Sequence, residues 1–269
     1  MAMINKKIRL SNTDESVYLE TFVARKMEGL VRRPILVIPG GGYSLVWDGE
    51  GEPVAEAFLP YGYNAFVLHY TVDRKGQFPC QLIEAARAIK HIKDNAEEYG
   101  IDPDQLMVVG FSAGGHLAAC TGAMWKMDEI YKNVDMPYGY NKPKGVILMY
   151  PVISPKYKHH FASFRNMWCT DEPTQAQLEA SAVEYHVDAD SAPAFILHTV
   201  NDKVVDVRNT FAIAKAYTEA GVPFELHMYP EGPHGMSLAN QITSGGDTIR
   251  NNKRIAEWVR FAVEWAETL

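Results

Sequence analysis

Short apolar runs recur along this chain at residues 17–22, 34–38, 64–70, 106–110, 146–150, 194–200 and 224–229, and most are apolar throughout rather than alternating. A strand that is apolar on both sides is buried on both faces, as in a parallel sheet lying between layers of helix. Residues 6–10 and 17–22 read instead as an antiparallel hairpin at one edge. From residue 34 onward helical patterns separate most of the runs. The clearest covers residues 80–99, where Leu82, Ala86, Ile89, Ile92 and Ala96 recur at steps of three and four before Gly100. Residues 207–220 before Gly221, and residues 254–267 with Trp258 and Trp265, repeat that logic. The fold class expected is α/β: a mostly parallel, twisted sheet of about eight strands with helices on both faces.

Residues 154–190 break the pattern, being long, aromatic and irregular, with Pro155, Pro173 and the pair His159-His160. An excursion of that length between two strands reads as a lid or specificity segment. No Pro/Gly/Ser-rich linker and no internal repeat divides the rest, so residues 1–269 are expected to form one domain.

Composition agrees with a packed protein, with 47% hydrophobic and 22% charged residues. The formal net charge of −7 disfavours nucleic acid and anionic membrane as partners. The N-terminal residues carry no apolar signal region, and no run of apolar residues is long enough to span a bilayer. Cys80, Cys120 and Cys169 are odd in number and widely spaced, which suits a reducing compartment. A cytoplasmic location is therefore expected. The oligomeric state stays open, a homodimer included.

Candidate chemistry begins at Gly110-Phe111-Ser112-Ala113-Gly114, a GxSxG string directly after the apolar strand residues 106–109 and directly before a helical run at 113–124. A sharp strand-to-helix turn strains the serine and projects its hydroxyl, while flanking glycines remove Cβ clashes. Ser112 is thus the candidate nucleophile, and it needs a base with a carboxylate to orient it.

Nine histidines compete for the role of base. His69, His198 and His227 fall in strand patterns, His91 on a helix, His116 just after the elbow, His159 and His160 in the lid segment, and His186 before a polar loop. His234 stands in Pro230-Glu231-Gly232-Pro233-His234-Gly235, a turn-rich loop after the strand at 224–229, and is the best placed. Asp202 follows the strand at 194–200 by two residues, on the face where parallel sheets bind ligands. Asp206 reads better as an acid of the following helix start. The chain order Ser112, Asp202, His234 is that of α/β-hydrolases.

Pro39-Gly40-Gly41-Gly42-Tyr43 follows the strand at 34–38 and offers unobstructed amides for an oxyanion site, with one donor expected from Gly41 or Gly42 and a second from Ala113. A nucleotide-binding reading of these glycines fails, because position 45 is Leu45 and no GK[ST] follows. No metal-binding spacing occurs, and neither metal nor cofactor is expected. Tyr43, Trp47, Trp125 and Trp168 are candidates for an aromatic sugar platform.

PGGGY, Glu52-Pro53-Val54-Ala55, GFSAGGH, HTVND and EGPHG together resemble the α/β-hydrolase superfamily over nearly the whole chain. Within it they are most similar to bacterial esterases of the acetyl-xylan or feruloyl esterase type, relatives of the hormone-sensitive lipase and prolyl oligopeptidase groups. The resemblance implies Ser112 as nucleophile, Asp202 as acid, His234 as base, and Gly41, Gly42 and Ala113 as oxyanion donors. In place of the His-Gly-Gly of many such esterases stands Pro39-Gly40-Gly41, without the histidine that braces the loop. The function expected is a serine esterase releasing short acyl groups, acetyl above all, from small acylated sugars. A small serine peptidase or amidase is the enzymatic alternative, and a ligand-binding receptor on a hydrolase fold the non-enzymatic one.

Overall fold

A computed structural model describes residues 3–11, 13–157 and 161–269; His159 and His160 lie outside the described residues. The strands are β1 (Met3–Ile4), β2 (Lys7–Arg9), β3 (Tyr18–Ala24), β4 (Arg33–Ile38), β5 (Tyr63–His69), β6 (Met107–Phe111), β7 (Gly145–Met149), β8 (Ala194–Thr199) and β9 (Phe224–Tyr229). They join in one sheet in the order β1-β3-β5-β4-β6-β7-β8-β9, with β2 also on β3. The pairs from β5 to β9 are all parallel, while β1, β2 and β5 run antiparallel to β3. The apolar runs became the parallel strands, and the edge hairpin pairs Lys7 with Glu20 and Arg9 with Tyr18.

Nine helices are described: α1 (Glu52–Phe58), α2 (Cys80–Asp94), α3 (Ala96–Tyr99), α4 (Ser112–Ala123), α5 (Asp128–Asn133), α6 (Ala162–Met167), α7 (Gln175–Ala180), α8 (Arg208–Ala220) and α9 (Trp258–Ala266). Strand residues alternate between two cores. Leu36, Ile38 and Val108 join residues of α2, α4 and α8 on one face, whereas Ile35, Val37, Val109 and Phe111 join residues of α1 and α9 on the other. This is the α/β architecture expected from the sequence, a mostly parallel sheet with helices on both faces.

Two helices differ from their sequence reading. The single helix expected over 80–99 is divided at Asn95, whose side chain donates to the His91 carbonyl at 2.7 Å and so satisfies a helix end from within. The last helix begins as a 3₁₀ turn at Ile255–Glu257 before α9. Residues 154–190 carry α6, α7 and a 3₁₀ turn at Val183–Tyr185, and Phe164, Met167 and Val183 are built into the core.

Candidate active site

The parallel strands end on a common side, and the loops leaving β4, β6, β8 and β9 there supply the residues singled out in the sequence. β6 runs directly into α4, and Ser112 at the junction has φ of 52°, in the left-handed region disfavoured for side-chain-bearing residues. The glycines beside it are required by contact. A Cβ on Gly110 would come 2.1 Å from the Gly114 carbonyl oxygen, and one on Gly114 would come 2.1 Å from that of Ile38. The turn therefore packs backbone on backbone against β4.

Ser112 Oγ lies 2.8 Å from Nε2 of His234, and Nδ1 of His234 lies 2.7 Å from Oδ2 of Asp202. Because a carboxylate accepts, Nδ1 carries the proton and Nε2 is left to accept from the serine hydroxyl. Asp202 is buried and fully engaged: Oδ1 accepts from the amides of Val204 and Val205, and Oδ2 also accepts from Nε2 of His198 at 3.2 Å. Burial by itself would raise its pKa, but the donors His198 and His234, the charge of His234 and the Val204 amide hold the carboxyl well below the ordinary range. Asp206 takes no part. Its carboxylate accepts from the backbone and guanidinium of Arg208 at the start of α8.

The amides of Gly41 and Gly42 have no acceptor among the described residues, and both glycines line the same cleft as Ser112. Ala113 lies in the first turn of α4, where amides lack an intrahelical acceptor. The Gly40 amide is committed elsewhere, donating to Oε2 of Glu50 at 2.8 Å. The glycine loop is braced at three further points. Tyr70 donates its hydroxyl to the Pro39 carbonyl at 2.8 Å, the Tyr43 hydroxyl contacts Nδ1 of His116 at 2.8 Å, and Asn166 of α6 donates to the Gly42 carbonyl at 2.9 Å. Three side chains thus hold a loop that carries Pro39 in place of a histidine.

Sequence reasoning did not assign Glu50, Tyr150 or His198 to the site. Oε1 of the buried Glu50 accepts from the Tyr150 hydroxyl at 2.7 Å, and that hydroxyl accepts from the Ser237 amide at 2.8 Å. The Tyr150 ring stands edge-on to the His234 imidazole, with centroids 5.0 Å apart. One network thus joins the glycine loop to the histidine loop. Burial raises the Glu50 pKa, against the lowering effect of its two donors, Tyr150 and Gly40.

The cleft has a volume of about 440 Å³, with Ser112 and His234 on its wall beside Leu45, Trp47, Asn166 and Arg250. Of the aromatics expected at a sugar, only Trp47 lines it. Tyr43 is 1% exposed and bonded to His116 instead. Trp168 is buried in the core, its indole N–H donating to Ser181 Oγ at 3.0 Å, and Trp125 donates to the Asp190 carbonyl. Tyr43 and Trp168 therefore support the loops around the cleft rather than facing it. Among the described residues no three His, Cys, Asp or Glu side chains converge as metal ligands. No helix there is long and apolar enough to cross a membrane.

Comparison with known proteins gives a match to the BD-FAE family model over residues 22–217. Endo-1,4-beta-xylanase B of Butyrivibrio fibrisolvens is 38% identical over 235 residues, a stretch covering 85% of this chain and 36% of that protein. Acetylxylan esterase of Xylanibacter ruminicola is 28% identical over 246 residues, 88% of this chain and 47% of that protein. The chain thus spans between about a third and a half of the length of these curated relatives. Among solved structures, the acetyl ester-xyloside bifunctional hydrolase of Caldicellulosiruptor lactoaceticus superposes with a TM-score of 0.82 at 29% identity, covering 100% of this chain and 97% of that one.

Proposed function

The chain belongs to the BD-FAE family, and from that premise we propose that it is a serine carboxylesterase cleaving short acyl esters of small sugars or xylo-oligosaccharides. The observation that carries this reading is the continuous path from Ser112 Oγ through His234 to Asp202, opening on the cleft beside the Gly41 and Gly42 amides, which have no acceptor among the described residues. His234 Nε2 takes the serine proton as Oγ bonds to the ester carbonyl carbon. The carbonyl oxygen becomes an oxyanion, which the amides of Gly41 or Gly42 and of Ala113 receive. His234 then returns the proton to the departing alcohol, leaving the acyl group on Ser112. Water, deprotonated by the same imidazole, releases the acid and restores the serine. Asp202 holds the imidazole in the required tautomer and offsets its charge while it is protonated.

Acetyl as the acyl group, and a xylose-type sugar as the alcohol, are supported by the relatives named for acetylxylan and for an acetyl ester-xyloside substrate. α6 contributes Ala162 and Asn166 to the cleft, which supports a specificity role for residues 154–190. The test is a panel of acetylated xylo-oligosaccharides, peptide amides and simple acyl esters. Cleavage of the acetylated sugars with little turnover of amides is expected, and preferred amide cleavage would replace the esterase with a peptidase.

A further inference from the structure

Arg250 is the only lysine or arginine lining the cleft among the described residues, and no step of the ester cleavage above uses it. Its guanidinium lies 5.7 Å from the centroid of the Trp47 ring, a cation–π distance. Nη1 reaches the Gly235 carbonyl at 3.4 Å, and Nε pairs with Asp247 Oδ2 at 3.7 Å. Both contacts are long. A pair of that length to the half-exposed Asp247 holds the charge weakly, and Nη2 has no partner among the described residues. Trp47 lies close to the Gly49 and Gly235 backbones, where an added Cβ would come 2.8 Å and 3.7 Å from its ring. With the guanidinium at that distance, the indole serves better as a support for the arginine than as a free platform for a sugar.

The position of Arg250 selects one end of the substrate. Its guanidinium reaches toward the carbonyl of Gly235, the residue after His234, whereas the Gly41 and Gly42 amides that receive the carbonyl oxygen stand on the glycine loop. In ester cleavage the leaving oxygen must sit at His234 Nε2, so the side of the cleft next to Gly235 belongs to the alcohol portion. A planar guanidinium with open N–H groups is matched best by a carboxylate, which it can grip with two parallel hydrogen bonds. We propose that Arg250, supported by Trp47, recognises a carboxylate on the alcohol portion of the substrate, and that the preferred substrate class is an acylated acidic sugar, a uronate, over its neutral counterpart.

This rests on the esterase reading for the direction of the substrate, and binding separates the two. The ligands are an O-acetylated methyl uronoside and the same compound with hydroxymethyl in place of the carboxylate, titrated into the Ser112→Ala protein by calorimetry. The uronoside is expected to bind at least about tenfold more tightly, the ratio to fall to near one on adding Arg250→Gln, and Arg250→Lys to restore part of it. Circular dichroism checks that each variant is folded. Equal binding of the two ligands, a failure of the uronoside to bind, or a preference that survives Arg250→Gln overturns the assignment. So does a comparable gain from a carboxylate on the acyl side, read with a hemisuccinate ester of the neutral sugar. Hydrolysis of p-nitrophenyl acetate by the wild type is followed separately: its absence sinks the esterase reading, while the calorimetric ratio still decides Arg250.

Discussion

The Tyr43 hydroxyl and Nδ1 of His116 are 2.8 Å apart in the core, and the other ring nitrogen of His116 lies 2.8 Å from the Ser181 carbonyl. A carbonyl only accepts, so Nε2 carries the proton and Nδ1 accepts from Tyr43. One neutral imidazole thereby ties the glycine loop to residues 154–190.

That bridge carries a pH dependence of stability. Burial, the largest cause, lowers the His116 pKa from an ordinary 6.5 to about 4, with only partial opposition from the Ser181 carbonyl. Below pH 6.5 the unfolded chain takes up a proton that the folded chain refuses, so the stability present above 6.5 is lost as pH falls toward about 4. The loss amounts to roughly 3 kcal/mol over that window. Urea midpoints measured from pH 7 to 4 should fall less steeply in His116→Gln than in the wild type, and parallel curves would contradict the assignment.

Ser112 should be the residue modified by a fluorophosphonate probe. Wild-type protein is expected to label and Ser112→Ala not to, as read by intact mass. Equal labelling of both would remove the serine mechanism.

Asp202 and Asp206 are separated by four positions and by their partners. Asp202→Asn should lower kcat on the order of 10⁴, the cost of losing the acid of a serine triad, whereas Asp206→Asn, which alters a helix-start contact with Arg208, should cost far less. Kinetics of the two folded variants decide, and the reverse ranking would move the acid to Asp206.

Gly114→Ala should be among the most damaging single-methyl additions in the chain. The new carbon would meet the Ile38 and Pro39 carbonyl oxygens at 2.1 and 2.4 Å, which belong to rigid backbone. A loss on the order of 4 kcal/mol or more is expected from thermal unfolding, against about 1 kcal/mol for an average substitution. A near-native melting temperature would show that β4 can move away from the elbow.

Acyl length gives the last test. kcat/KM on p-nitrophenyl esters should be highest for acetyl and fall beyond butyryl. A pocket that accommodated each added methylene would gain roughly 0.8 kcal/mol per step and give the opposite slope. A maximum at octanoyl would identify a lipase instead.

The sheet and the Ser112, Asp202, His234 positions were legible because each follows from local pattern: an apolar run buried on both faces, then a polar or glycine-rich loop at its end. The supporting network was not legible in that way. Glu50 meets Tyr150 across 100 positions, and Asn166 meets Gly42 across 124, so no window of sequence contains the pair. His198 obeys the strand pattern while its ring reaches Asp202. Tyr43 and Trp168 were expected at the substrate because aromatic residue type is the same on a cleft wall and in a core; only packing separates the two. Arg250 stands in a loop without periodicity, and its meaning comes from Trp47 and Gly235 beside it.

His234 hangs from the loop after β9, and among the described residues β9 pairs with β8 alone, at the far end of the sheet from β1. Five of its six residues are only half-buried, unlike the wholly buried β6, β7 and β8. Edge strands with few buried contacts open at a lower free energy than the global unfolding of the domain. Fraying there would part the imidazole from Ser112 while helices and central strands persist. Inactivation on gentle warming should thus precede melting, and residual turnover should be a more sensitive thermometer of this molecule than its circular dichroism.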